Sequence, residues 1–261
     1  MANRGIVRIQ VERRGDRSVV IDQYSQVPLQ LSKPLYLEGA DFPTMYLRSP
    51  SSGLLEGDVH EIDIQVGVNA QLELRTQGAT LVYPGESRLR IDIALNDHAR
   101  FEFLPHPLIL ASEAKLDQSI KVKMSERSSL LLKESWVCGR IAMGEEWLFK
   151  QFDNLIEIFE ADDLAYRECW SIQPHRDQLT NPLICGSYKH FATTFDIGSS
   201  GTNEANKKLR IPELQLRTSE FNTHTDDPND LQLAGNGHVS NVSRWSLQRG
   251  RATIQREAIQ L

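Results

Sequence analysis

The feature that most constrains this sequence is a repeat with a period of 29 residues. Three segments align without gaps, and they begin at Ile62, Ile91 and Ile120. Apolar and polar residues alternate within each segment, as in Ile62, Ile64 and Val66, which is typical of strands with one buried face. A repeat of this length implies supersecondary units that stack and bury their apolar faces against their neighbours. The sequence therefore predicts a mainly β protein.

Each repeat unit reads as an alternating strand, a polar turn (GVNA, NDHA or SERS) and a second strand. We therefore expect stacked β-hairpins in a β-helix-like arrangement, with a few helices including a C-terminal one. Segments 6–21 and 155–172 show the same hairpin pattern. A plain β-sandwich with coincidental spacing is the alternative, because alternation alone would produce either fold. If the units stack, Gln77, His106 and Ser135, each 29 residues apart, should form a column.

The C-terminal part of the sequence is less regular. Residues 181–198 are expected to form more strand, whereas the polar stretches 199–208 and 222–237 are expected to be loops. Residues 243–261 carry a rough apolar stripe at helical spacing, weakened by Gly250, and predict a C-terminal helix. The stripe consists of Trp245, Leu247, Ile254, Ala258 and Leu261.

Composition and charge exclude several classes of protein. Hydrophobic residues make up 40% and charged residues 25%, and no Pro- or Gly-rich linker divides the chain, so we expect a single domain over 1–261. The net charge of −6 gives no general attraction to nucleic acid or to anionic membranes. The sequence shows no signal peptide or apolar run long enough to span a membrane, so a cytoplasmic location is expected. Cys138, Cys169 and Cys185 are odd in number and do not suggest a disulfide framework.

Motifs that would commit the chain to an enzymatic mechanism are missing from the sequence. It contains no Gly-rich phosphate loop, no dinucleotide fingerprint, no G-x-S-x-G elbow, and neither C-x-x-C nor H-E-x-x-H. The HRD at 175–177 lacks the other motifs of a kinase. This favours a binding or assembly protein over an enzyme.

Four blocks in fixed order resemble the UreD family of urease accessory proteins, called UreH in some organisms. They are LRSPSSGLLEGD at 47–58, TQGATLVY at 76–83, FEFLPHPLIL at 101–110 and LLLKESWVCGRIAMGE at 130–145. NPLICGSY at 181–188 is similar to a weaker block of the family. The sequence departs from the family pattern at three positions, which are Ser52 in place of glycine, Leu81 in place of lysine and Lys133 in place of tryptophan.

The resemblance implies a function as well as a fold. UreD-type proteins are not enzymes; they bind apo-urease and, with UreF and the GTPase UreG, enable nickel insertion at a site whose bridging lysine is carbamylated. The family fold is a β-helix-like stack with two helices, and an internal polar passage has been proposed to carry nickel. The resemblance therefore implies no tightly bound cofactor, with nickel in transit. We expect the UreF-facing surface near the C-terminal helix and the loop at 222–237.

Three carboxylates and one histidine on the family motifs are candidates for lining or gating the nickel passage, namely Asp58, Glu134, Glu168 and His106. Carboxylate and imidazole groups are ligands that nickel accepts, and a passage must bind the ion weakly enough to release it. Structural roles are the alternative. Asp58 could cap a turn, and Glu134 and Glu168 could pair with Arg140 or Arg167.

The turn-rich stretch at 47–58 is expected to reverse the chain into the first repeat and to hold Asp58 at its entrance. Gly53 and Gly57 would permit positive φ angles or close backbone approach, and Leu54 and Leu55 would plug the end of the apolar stack. Two other functions stay open. One is a scaffold that binds protein but no metal, and the other is a carbohydrate-active β-solenoid enzyme, which the low aromatic content of 7% disfavours.

Overall fold

Alternating apolar and polar residues build nearly all of this structure, a computed structural model. It describes residues 3–37, 39, 41–51, 53–181, 185–198, 232–239, 242–249 and 252–259, with side chains in the last three segments described only at 254–256 and 258. These residues form nineteen β-strands. In chain order they are β1 (Arg4–Arg14), β2 (Arg17–Gln26), β3 (Gln30–Leu31), β4 (Thr44–Arg48), β5 (Gly53–Leu54), β6 (Val59–Val66), β7 (Gln71–Thr76), β8 (Thr80–Val82), β9 (Gly85–Leu95), β10 (Arg100–Leu104), β11 (Leu108–Leu110), β12 (Ala114–Met124), β13 (Ser129–Val137), β14 (Gln151–Glu160), β15 (Asp163–Ile172), β16 (His190–Ile197), β17 (Gln232–Val239), β18 (Val242–Arg249) and β19 (Ala252–Ile259).

The strands form two mixed sheets. The first sheet has seven strands in the order β15-β14-β12-β9-β6-β1-β2. The second follows the order β17-β18-β19-β16-β13-β10-β7-β4-β3, and the short strands β5, β8 and β11 join it beside β13. Pairing is parallel from β1 to β14 in the first sheet and from β4 to β13 in the second. The predicted mainly β class is therefore confirmed.

The 29-residue period is the register of this parallel pairing. Ile62 pairs with Ile91, and Ile91 with Ile120, in the first sheet. Phe101 pairs with Leu72 on one side and with Leu130 on the other in the second. The two strands of each unit thus lie in different sheets, so the predicted β-helix-like stack of hairpins is not observed. Equal apolar patterns one repeat apart let strands of the same direction pair in register and bury the same face.

Hairpins do occur at the two edges of the first sheet, where the sequence predicts them. β1 and β2 pair antiparallel up to Arg14 and Arg17, and β14 and β15 pair antiparallel up to Glu160 and Asp163. Each pair closes through two residues, and Gly15 in the first turn has a φ of 62°. The hairpin predictions for 6–21 and 155–172 are confirmed.

The core lies between the two sheets. Inward positions of the first sheet, such as Ile64 and Val122, are buried, as are Leu72 and Phe101 of the second sheet. Towards the C-terminal end, aromatic rings fill the space between the sheets. Trp136 of β13 stacks on Phe191 with ring centroids 4.4 Å apart, and its ring also packs edge-on against Phe152 and Trp147.

The predicted C-terminal helix is wrong. Residues 242–249 and 252–259 form β18 and β19. Of the loop predicted over 222–237, residues 232–237 form strand in β17, and residues 222–231 lie outside the described residues. The apolar residues of this segment fit either one helical stripe or two alternating strands separated at Gly250. The edge of β16 favours the strands, because β19 pairs with it along its whole length and buries Ile254 and Ala258. The strand predicted over 181–198 is confirmed for 190–197, which form β16, whereas residues 185–187 form a turn and 182–184 lie outside the described residues.

The one helical element in the described residues is a short 3₁₀ turn at Ile141–Met143. No helix in this part of the chain has the length and apolar character needed to cross a membrane. The predicted loop at 199–208 lies outside the described residues.

Candidate functional site

The second sheet is interrupted where β7 passes into β8 and β10 passes into β11. We call residues 77–79 and 105–107 the break. Before it, Phe103 pairs with Leu132, a spacing of 29, whereas after it Leu108 pairs with Trp136, a spacing of 28. The break contains prolines at 105 and 107, which lack the N–H group that a continuous ladder requires.

A cavity of about 310 Å³ lies at this break and extends inward between the sheets. Its walls are largely apolar, with Ile62 and Ile91 from the first sheet and Leu54 and Phe103 from the second. Polar residues are nevertheless present from its exposed rim to its buried interior. They include Arg48, His60, Thr76, Gln77, His106, Gln118, Lys133, Glu134 and Ser135.

Glu134 is the acid on the wall of this cavity. It lies on β13 between the apolar residues Leu132 and Trp136, so its side chain faces inward and is buried. Its Oε1 accepts hydrogen bonds from Gln118 Nε2 and from Asn154 Nδ2, both at 2.7 Å. Burial, reinforced by the negative charge of Glu168, raises the pKa of Glu134 to about 8. At neutral pH the group is therefore mainly a neutral acid.

Glu168 lies off the cavity, on β15, and is held by three donors. Its Oε1 accepts from Trp170 Nε1 at 2.8 Å, and its Oε2 accepts from the Tyr166 hydroxyl at 2.5 Å and from the Arg256 guanidinium. Burial, together with this hydrogen bond to Glu168, raises the pKa of Tyr166. The sequence offered Arg140 and Arg167 as partners for the buried acids.

Those two arginines pair elsewhere. Arg140 bonds to Glu145, and Arg167 lies 3.5 Å from Glu157. The alternative that Glu168 pairs with an arginine is confirmed, but the partner is Arg256. Arg256 lies on β19, in a segment whose sequence predicts a helix.

Asp58 is buried and caps a turn. Its Oδ1 accepts from the backbone N–H of Asn3 at 2.9 Å, and its Oδ2 accepts from that of Leu55 at 3.0 Å. It does not line the cavity. The alternative prediction of a turn-capping role is confirmed for this residue, since both carboxylate oxygens are engaged by backbone groups.

The two glycines of the same motif have the positive φ angles that the sequence predicts, and one of them allows two backbone segments to approach closely. Gly57 has a φ of 81°, and Gly53 has a φ of 145°. A Cβ at Gly53 would lie 1.9 Å from the carbonyl oxygen of Leu81. Leu54 is fully buried and lines the cavity, whereas Leu55 is 39% exposed, so the predicted plug consists of Leu54 alone.

His106 lies on the exposed rim of the cavity. Its backbone N–H donates to Thr76 Oγ1 at 2.8 Å, and its ring Nδ1 lies 2.9 Å from the carbonyl oxygen of Thr76. Gln77 and Ser135, the two residues expected to stack with it, line the same cavity. Glu134 and His106 are therefore the two predicted residues that the structure brings to one site. Among the described residues, no three His, Cys, Asp or Glu side chains are grouped so as to hold a metal ion.

His60 is a cavity residue that sequence reasoning missed. It lies on β6, is 2% exposed, and its Nε2 has no hydrogen-bond partner. Burial lowers its pKa, against the opposing effect of the nearby Asp58 carboxylate. The signal was present in the sequence, because His60 occupies an inward position of the alternation that continues through Ile62 and Ile64.

Comparison with known proteins gives one consistent result. A family model described as UreD urease accessory protein matches residues 3–251. The urease accessory protein UreD 2 of Synechococcus sp. (strain JA-3-3Ab) is 35% identical over 200 residues, covering 75% of this chain and 70% of that protein. The urease accessory protein UreD of Bacillus cereus (strain ATCC 10987) is 29% identical over 203 residues, covering 77% and 74%. That of Cenarchaeum symbiosum (strain A) is 29% identical over 233 residues, covering 85% and 77%.

Proposed function

The chain belongs to the UreD family of urease accessory proteins, and from this premise we propose that it enables nickel insertion into urease. In this proposal it is not itself an enzyme. It binds apo-urease and acts together with UreF and the GTPase UreG. The observation that carries the proposal is the match of the family model over residues 3–251, which includes all four sequence blocks up to residue 145.

The cavity at the break supports a role in moving the metal. Most of the space between the sheets is filled by apolar side chains, yet here polar groups continue from the exposed His106 to the buried Glu134. Imidazole and carboxylate groups are suitable ligands for nickel(II), and a transit site must hold the ion weakly. We propose that His106 receives the ion at the rim and that Glu134 binds it inside, releasing its proton as metal ligation requires.

Asp58 and Glu168 enter the proposal indirectly. Asp58 would have to give up two backbone hydrogen bonds to bind nickel, and Glu168 would have to give up Arg256. We propose that Asp58 fixes the turn that leads into β6 and that Glu168 joins β15 to β19. Direct contact with nickel is assigned to Glu134 and His106.

A scaffold that binds protein but no metal is the second candidate function. It is favoured by the hydrogen bonds of Glu134 to Gln118 and Asn154, which satisfy that acid without a metal ion. The two functions share the family and the partners. They differ in whether nickel accompanies the chain in its complexes.

Co-expression tests the proposal. The chain would be produced with UreF, UreG and the urease subunits of its own organism in nickel medium, and urease activity and co-purifying proteins would be compared with a culture lacking it. We expect activation to require the chain and urease to be retained with it. Full activity without the chain, with no partner retained, would contradict the proposal. In a dependent system, loss of activation and of bound nickel in Glu134→Leu, with the complex intact, would separate the passage from the scaffold.

A further inference from the structure

His60 occupies a position where a buried polar atom lacks a partner. Its neighbours on the inner face of β6 are apolar, and Ile62 and Ile64 follow it at inward positions. Its Nε2 forms no hydrogen bond within the described structure. An unmade hydrogen bond at a buried nitrogen destabilises the fold, so such a group calls for an explanation such as a bound ligand or ordered water.

The surroundings of His60 point to a polar ligand rather than to a packing role. His60 and Ser135 line the same cavity, and the Ser135 hydroxyl, 3% exposed, also has no hydrogen-bond partner. His60 pairs across the first sheet with Leu89, which pairs with Gln118. His60 therefore lies two strands, or about 10 Å, from Gln118, the amide that bonds to Glu134.

We propose that His60 is an interior nickel ligand in this cavity, two strands away from the amide that bonds to Glu134. This inference rests on the proposed function and adds a residue that no sequence motif indicates. Imidazole is a suitable ligand for nickel(II), and the ion would complete its coordination with water in the cavity. The Asp58 carboxylate interacts electrostatically with His60 and would add negative charge near the ion.

The test compares untagged wild-type chain with two variants. His60→Leu removes the imidazole and leaves an apolar side chain of similar size among apolar neighbours. His98→Asn is the matched control, because His98 is an exposed turn residue away from the cavity, with a φ of 53° that asparagine tolerates. Ni²⁺ alone is the probe. Its affinity is measured by equilibrium dialysis, and its ligands by nickel X-ray absorption.

We expect His60→Leu to bind Ni²⁺ at least about tenfold more weakly, the scale on which even outer-shell partners of metal ligands act. One imidazole should disappear from the coordination shell, while His98→Asn should match the wild type in both measurements. The melting temperature of His60→Leu should be unchanged or higher, because an unpartnered nitrogen is removed. Equal affinity and an equal spectrum in His60→Leu would overturn the inference and leave only water at this position.

A second measurement needs no variant and therefore does not depend on the folding of His60→Leu. The wild-type chain, labelled in its histidine rings, is titrated with Ni²⁺ and followed by NMR, because paramagnetic Ni²⁺ broadens the signals of rings close to it. Selective broadening of the His60 ring supports the inference, and a His60 ring that stays sharp at saturating Ni²⁺ overturns it. The co-expression result keeps the two proposals apart. If urease activation requires the chain while His60 fails both measurements, only the role of His60 is lost.

Discussion

The two sheets carry the same 29-residue period but use it differently. In the first sheet, β9 and β12 run unbroken through eleven residues each and pair in one register. In the second, the corresponding chain is divided into β7 and β8, and into β10 and β11, and the register changes across the break. The cavity with its polar groups lies where the pairing stops. A repeat can thus build a closed wall on one side of a core and an opening on the other.

The largest expected effect concerns the wall formed by the first sheet. Phe152 of β14 is fully buried and packs edge-on against Trp170, with ring centroids 4.8 Å apart. We expect Phe152→Ala to lower the free energy of unfolding by about 3–5 kcal/mol, because it removes a large buried ring and leaves a space in a packed core. Denaturant unfolding measures the change.

The same strand provides the control. Phe159 is partly exposed on β14 and lies under Lys121, whose Nζ is 5.1 Å from the ring centroid. Phe159→Ala should cost about 1 kcal/mol or less, the usual worth of an exposed cation–π contact. Equal losses at the two positions would contradict the assignment of one face of this sheet to the core.

A smaller effect distinguishes two glycines that line the cavity at the break. At Gly53, with its φ of 145°, a Cβ would meet the carbonyl oxygen of Leu81. We expect Gly53→Ala to destabilise the fold by at least about 1–3 kcal/mol, the range for strained backbone positions. Gly78 has open space around the position of a Cβ, so Gly78→Ala should stay within about 0.5 kcal/mol of the wild type. Similar melting temperatures for the two variants would show that the approach of β5 to β8 is not tight.

Period and alternation were enough to predict strands across the first 172 residues and units that repeat every 29 residues, because they record which face of each strand is buried. They could not predict that the two strands of a unit separate into two sheets. A polar turn such as the one at 67–70 fits either a hairpin or a crossing between sheets. The C-terminal error has a related cause. Ile254 and Ala258 suit a helix or a strand, and the open edge of β16, a tertiary feature, selects the strand.

The burial of the site residues could be predicted from the alternation, but their contacts across the core could not. Glu134 stands at an inward position between Leu132 and Trp136, so its burial could be read from the alternation. Its engagement by Gln118 and Asn154 depends on the facing sheet, which the sequence does not specify. His60 could have been recognised by the alternation alone, but its unpartnered nitrogen is visible only once the cavity is known.

The break itself predicts a slope of stability with pH. The Glu134 carboxyl titrates near 4.5 in the unfolded chain, whereas burial raises its folded pKa to about 8. Between these values the folded chain holds a proton that the unfolded chain has released, so stability falls as pH rises through this window and levels off above it. The slope from this group is at most about 1.4 kcal/mol per pH unit. Glu134→Gln keeps an acceptor for both amides and should lose this slope in denaturant unfolding between pH 5 and pH 8.

Glu145 is the control of opposite sign. The hydrogen bond from Arg140 lowers the pKa of Glu145, so this group stabilises the fold above its ordinary value and loses that contribution as pH falls. Glu145→Gln should therefore be less stable than the wild type near neutrality and similar to it in acid, while Glu134→Gln gains relative to the wild type as pH rises. If Glu134→Gln kept the wild-type slope, the acid would be ionised inside the cavity. The break would then present a negative charge to an entering cation, and proton release would no longer be part of nickel binding.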